Sequence, residues 1–550
     1  MRFCKYILLM FAIVAIFSAK VLTAQESGQK KEQAQQQENE EEKTKLNLPD
    51  VIIYGQERTV RKAGSKLNTN QEKPNLLDLD VEYQSSTLKA RPGGDKLMMT
   101  NGNPEFGSAT SANMQYGNFN AQFLQLNHAR EFEQADYNVS ALYQHSDGQY
   151  RNSRFSIANG RTHVGWNARE NLNFAFDAEY LYRDYGMHGA VLNDLSRKVT
   201  HAHGEFSSHW DISENSTADV QVQLGRFELL NENANNLSDA EESTIKFIAD
   251  YKQALRKIQL NVRTKFWNNQ LSNINRNLNF FILESVLIYP LGQSVSINPA
   301  LAVERVSDYE SRVSPGLEIV FTPHPKLGIS AKANRYLKPH LFHDFWQDNH
   351  YLNASIPHTM SDIKLNSEMT VQYQIVQNLA IRAVVSHKQI SDYYYWQNDS
   401  LTNLFQLARF NDISLSQAIF GFHYNVADRV MLRADIMYTD GSIDDEISGS
   451  DRKEIPYLAK FRIPFELRIN FNKATVFSAQ ALWTGPRRTS VFTDREIDSY
   501  VLLSAQFERM LFSHFSAYVG GDNLLDDEFM MWENYPHTGL QFYFGIRAKW

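Results

Sequence analysis

Cysteine is all but missing from this sequence: Cys4 is the only one among 550 residues. It falls in an amino-terminal stretch with the marks of an export signal, so the mature protein is expected to hold neither a disulfide nor a cysteine metal cluster. Long apolar runs are scarce too. After the run over residues 7–17 no segment of about 18 apolar residues occurs, which excludes a helical membrane protein. An excess of basic charge is also lacking. The net charge of -8 argues against nucleic acid as a partner, because phosphate binding wants a basic face. The signatures of catalysis are missing as well: there is no nucleophile elbow, no His-Glu-x-x-His and no P-loop. Neither an enzymatic activity nor a cofactor is expected.

Aromatic residues are plentiful, with 26 Tyr and 34 Phe, which suits strands with aromatic girdles better than a helical enzyme. Arg2 and Lys5 precede the first apolar run, and Leu22-Thr23-Ala24 offers a small residue for cleavage before Gln25. Residues 1–24 therefore read as a signal peptide. Residues 25–45 are rich in Gln, Glu and Lys and read as a flexible tether. Residues 46–106 open with a β-prone patch, Leu48, Pro49, Asp50, Val51, Ile52, Ile53 and Tyr54, and continue through Pro74, Pro92, Gly93, Gly94, Gly102 and Pro104, which interrupt regular structure. The patch suits strand addition to a partner's sheet edge or packing against an inner barrel wall, and its position alone leaves both open.

From residue 107 to 550 the pattern changes. Leu172, Phe174, Phe176, Ala178, Tyr180 and Tyr182 alternate with Asn173, Asp177, Glu179 and Arg183, and Ile258, Leu260, Val262 and Phe266 alternate with Lys257, Gln259, Asn261 and Lys265. Strand side chains take opposite faces in turn, so each segment has one apolar and one charged side. Charge at that density is wrong for a sandwich core and right for a barrel with lipid outside and water inside. The last stretch shares the rhythm: Phe542, Phe544, Ile546 and Trp550 fall on one face, Tyr543, Arg547 and Lys549 on the other. Connections alternate in length. Segments 147–159, 183–199, 337–363, 393–403, 439–459, 485–498 and 522–538 are long, and 169–171, 211–215, 323–326, 376–378, 427–428, 472–473 and 510–513 are short. The expected fold is all-β, a transmembrane antiparallel barrel of about 22 strands with a short amino-terminal periplasmic or lumenal segment.

The run Gly521-Asp522-Asn523-Leu524-Leu525-Asp526-Asp527-Glu528, followed by Tyr535-Pro536 and Gly539, resembles the last external loop and closing strand of the TonB-dependent outer-membrane receptors. Residues 334–339 and 409–413 resemble two other strand edges of that family more loosely, and Leu48 to Tyr54 look like the segment that pairs with the energising TonB protein. The resemblance implies the bacterial outer membrane with its lipid, uptake of an unidentified solute, and a TonB-type partner. It also implies that Phe542, Phe544, Ile546 and Trp550 form the signal read by the barrel-insertion machinery. The family carries a plug of well over 100 residues, whereas only about 50 lie between Arg58 and Gly107, too few for such a domain. A reduced plug, a plug or lipoprotein supplied as a separate partner, and a threaded peptide all stay open. A passive channel or a scaffold barrel of an outer-membrane complex is the alternative function.

For ligand contact the long loops offer His343, Trp346, Tyr394, Trp396 and Trp532. His340, His343, His350 and His358 with Asp344 and Asp348 hold ligand types for a transition metal, but at spacings that match no defined site, so no metal site is assigned. Tyr393 to Trp396 suit stacking on a sugar ring, and suit an interfacial aromatic belt better.

Overall fold

The computed structural model describes residues 109–191, 194–233, 237–272, 275–307, 309–356, 359–426, 429–444 and 453–550. The expectations placed on residues 1–24, 25–45 and 46–106, the patch Leu48 to Tyr54 included, lie outside these residues. His358 lies outside them as well.

Twenty-two antiparallel strands form one sheet in which each pairs with the next in sequence, and the first, Ala109–Gly117, pairs with the last, Gln541–Lys549. Met114 lies opposite Ile546 and Tyr116 opposite Phe544, so the sheet is a closed barrel with no free edge. The strand number read from the alternation is the number found. Among the described residues no helix is long and apolar enough to cross a membrane; the crossing is made by strands.

The predicted two-faced pattern appears directly in the exposure. In the closing strand Phe542, Phe544 and Ile546 are 54%, 62% and 58% exposed, while Tyr543 between them is 4% exposed. Phe176 and Tyr180, Leu301 and Val303, and Leu317, Ile319 and Phe321 are exposed in the same two-residue rhythm. These side chains make an apolar outer belt of the kind that faces hydrocarbon. The inner wall is lined by ion pairs, among them Arg161–Glu179 at 2.9 Å, His163–Asp177 at 2.8 Å and Lys332–Glu368 at 2.9 Å.

Short connections collect at one rim and long ones at the other, as the sequence alternation requires. Register shifts next to several of the short turns, at Asn167/Arg169, Asp211/Ser213, Gln374/Val376 and Asn470/Asn472, mark β-bulges that end pairing at the rim. At the long-loop rim the strands rise well past the roughly 10 residues that a bilayer needs: Leu379–Asn398 has 20 residues and Phe405–Val426 has 22. The expected long loop over 393–403 is thereby shortened to 399–404. Tyr393, Tyr394, Tyr395 and Trp396 remain in strand, because both faces of that raised segment are packed.

Beside the closing pair, two glycines bring the last two strands together. Tyr518 lies opposite Gly545, and Tyr543 opposite Gly520. A Cβ on Gly545 would run into Cζ and Oη of Tyr518, and one on Gly520 would sit 2.7 Å from the same atoms of Tyr543. Each tyrosine ring thus lies flat over the bare backbone of the neighbouring strand, a close approach only glycine permits. The Tyr518 hydroxyl then donates to Asn113 Oδ1 at 2.6 Å across the closing strand.

Candidate functional site

The outer mouth is where the fold departs from a simple tube. Among the described residues six external loops share one apolar core: Met187 and Leu195, Phe342, Phe345, Trp346 and Leu352, Leu404, Ile455, Val491, and Tyr535 come from residues 187–191 and 194–195, 341–356, 399–404, 453–460, 485–499 and 523–540. They pack on strand residues that rise to meet them, including Phe227, Leu229, Ile390 and Phe405. Burial of each such side chain contributes about 1.5–3 kcal/mol.

Polar bonds lock the loops to one another. Loops 187–195 and 399–404 follow the fifth and fifteenth strands, ten apart in a ring of 22, and so start from nearly opposite walls. They meet where the Val191 amide donates to Thr402 O at 3.1 Å. Asn403 joins three loops: its Nδ2 donates to Gly189 O at 2.9 Å, its Oδ1 accepts from Asn534 Nδ2 at 3.2 Å, and its carbonyl accepts from the Tyr535 hydroxyl at 3.0 Å. Its φ of 58° is left-handed, which asparagine tolerates. Tyr535 stacks on Tyr351 with ring centroids 3.6 Å apart, and burial raises the pKa of both hydroxyls, so they remain neutral donors.

The short helix Phe342–Asp348 carries the centre of the cap. Its first amides are satisfied from the barrel wall: Glu242 Oε1 accepts from the Phe342 amide at 2.9 Å, and Oε2 from the His343 amide at 3.0 Å. His343 Nδ1 lies 2.8 Å from the same Oε2. Burial pulls the His343 pKa down, but the Asp344 and Glu242 carboxylates outweigh it and raise the pKa to about 9. The imidazolium thus faces a carboxylate that is only 1% exposed.

The ligand-contact residues read from the sequence are brought together, but facing inward. Trp346, Tyr394 and Trp396 are buried, and Trp532 is half-buried against Phe405 at 5.1 Å and Tyr457 at 5.0 Å. The interfacial belt expected at Tyr393 to Trp396 is therefore corrected: all four are buried in the cap, because aromatic loop residues cover both faces of the strand. The histidines separate. His340 is buried with Nε2 3.2 Å from Ser361 Oγ, His343 pairs with Glu242, and His350 stacks on Trp346 at 4.6 Å. Among the described residues no three His, Cys, Asp or Glu side chains are placed to hold a metal ion. Glu242, Arg183, Arg197 and Asn403 carry much of the cap and were invisible in the sequence, since their partners lie far away in it.

Three solved structures share this architecture. The copper transporter OprC matches at a TM-score of 0.64 with 13% identity over 81% of each chain. The siderophore receptor PiuA from Acinetobacter baumannii matches at 0.64 with 12% identity, over 81% of this chain and 82% of its own. The chain shares their closed-barrel fold. The FrpB iron transporter from Neisseria meningitidis matches at 0.63 with 10% identity over the same shares. No protein-family model and no curated sequence matches the chain. A closed barrel of this size with an apolar outer belt belongs in the bacterial outer membrane, which agrees with the localisation expected from the sequence.

Proposed function

We propose that the protein is an outer-membrane uptake receptor whose solute enters through the capped mouth. The observation that carries this reading is the cap itself. A passive pore needs a standing opening, whereas here loops from nearly opposite walls interlock over a lumen lined with ion pairs. A closed mouth above a charged wall suits capture and controlled admission. In this reading a TonB-type partner pairs by strand addition with Leu48 to Tyr54, and pulling on that segment is coupled to passage. The structurally similar OprC, PiuA and FrpB are transporters and receptors, which supports transport as the class.

Conductance in planar bilayers tests the first half. The full-length protein and a variant lacking residues 25–106 should both hold the bilayer closed. Removing loop 399–404 from the shortened variant should give steady current. Large steady current from the intact protein sinks the receptor reading and favours a passive channel. The energised half is tested apart from this: Ile52→Pro should abolish binding of a TonB carboxyl-terminal domain to the full-length protein, and unchanged binding refutes that partner.

A further inference from the structure

Beneath the cap lies a charge that its neighbours do not balance. Arg197 is 0% exposed. Its Nε donates to Asn231 Oδ1 at 2.8 Å, and its Nη1 to the His350 carbonyl at 2.8 Å; both acceptors are neutral. Nη2 has no partner among the described residues. A buried ion without a counter-charge is strongly unfavourable, and a guanidinium does not shed its proton to escape. Holding the loop does not require that charge. The Tyr185 hydroxyl already donates to the same His350 carbonyl at 3.0 Å.

A second guanidinium converges on the same residue. Arg183 is 9% exposed, and its Nη1 lies 2.6 Å from His350 Nε2. His350 Nδ1 lies 2.7 Å from Trp346 O, so hydrogen bonding assigns the ring proton to Nδ1 and leaves Nε2 as acceptor. Two cations thus flank one neutral histidine, and the Trp346 ring stacks on that imidazole and lies 5.1 Å from the Arg183 guanidinium carbon.

We propose that Arg197, with Arg183 across His350, is the recognition point for an anionic group on the solute: a carboxylate, sulfate or phosphate. The guanidinium fork matches such groups in two parallel hydrogen bonds, stronger than those it makes to neutral oxygen. In the closed state the His350 carbonyl occupies part of that fork. An arriving anion competes for it, displaces the carbonyl and frees residues 341–356, so recognition and opening are one event. The inference rests on the uptake reading only for calling the ligand a solute. Anion binding is measured without transport, so either can fail alone.

The test uses the full-length protein in detergent, with sodium sulfate, inorganic phosphate and sodium acetate each compared with sodium chloride at equal ionic strength. Tryptophan fluorescence and proteolysis within residues 341–356 are the readouts. Wild type should respond saturably to at least one of the three, and the strongest separates a carboxylate from a tetrahedral oxyanion. Arg197→Met and Arg197→Gln should weaken that response at least tenfold, and Arg197→Lys should retain part of it. Folding is checked by the mobility of the unboiled barrel on a gel. If the Arg197 variants do not fold, Arg183→Gln takes their place and should also weaken the response. The proposal is overturned if wild type responds to none of the three beyond chloride. It is equally overturned if the Arg197→Met response, or in its place the Arg183→Gln response, equals that of wild type; Arg197 is then a pin for the loop.

Discussion

The closing seam and the outer mouth both rest on buried tyrosines, yet they are built to behave differently. At the seam Tyr518 and Tyr543 lie on Gly545 and Gly520 of directly opposed strands, inside a continuous backbone ladder. At the mouth Tyr535 and Tyr185 reach with their hydroxyls for the carbonyls of Asn403 and His350, on segments that share no ladder with them. A ladder breaks only as a whole, whereas side-chain bonds between loops let go one at a time. The seam is thus the permanent part of the barrel and the mouth the part that can open. Local stability differs in this way wherever loops are held by few specific contacts.

The hardest blow to that contrast is at the seam. Gly545→Val should place a branched side chain against the Tyr518 ring and the Met114 carbonyl. Overpacking typically costs about 1–3 kcal/mol, and disruption of the closing ladder adds to it. The heat-modifiable band on an unboiled gel should disappear, and Tyr518→Ala in the same chain should partly restore it. A stable Gly545→Val barrel would show that the seam is no tighter than the rest of the wall.

Asn403→Ala should act at the mouth alone. It removes two side-chain bonds at about 1 kcal/mol each and puts alanine in a left-handed conformation, about 3–4 kcal/mol in all. Proteolysis of loops 187–195, 399–404 and 523–540 should rise together while the barrel band stays unchanged. Cleavage confined to one loop would refute the three-way junction.

A smaller effect follows from pH. His343 is raised from 6.5 to about 9, so its ionic contact with Glu242 supports the cap fully below about pH 6.5 and is lost as pH rises through about 9. The contribution is on the order of 3 kcal/mol. Proteolysis within residues 341–356 should increase between pH 7 and 10 in wild type and less steeply in Glu242→Gln, where Asp344 still faces the ring, whereas the seam should not respond. Smallest of all, Leu401→Ser at the 81% exposed tip of its loop should change stability by no more than about 0.5 kcal/mol by thermal melting. A larger loss would mean that the tip is covered.

Much of the wall was legible because its rule is local. Alternation at Phe542, Phe544 and Ile546 needs only the neighbouring residues, and the short turns punctuate the strands at regular distances. The mouth follows no local rule. Trp346, Trp396 and Trp532 were noticed as loop aromatics, but whether they face out or in is decided by partners such as Phe227, Phe345 and Phe405, each supplied by another part of the chain. Arg197 and Glu242 gave even less warning, since each sits in a strand whose alternation would accept any polar residue at that position. The charge that matters there is set by what the loops bring down onto it.

The pairing of the first strand with the last also governs how the molecule is made. Ala112 meets Ala548, 436 positions later, while every other pairing in the ring joins strands consecutive in sequence. Hairpins can therefore zip as they emerge, but the ring waits for its most distant contact, the slowest kind to form because the largest loop must be closed. Until then both terminal strands present open edges in the periplasm, each a template for pairing with another chain. The seam is thus the last part of the ring to be made and the part that removes its exposed edges.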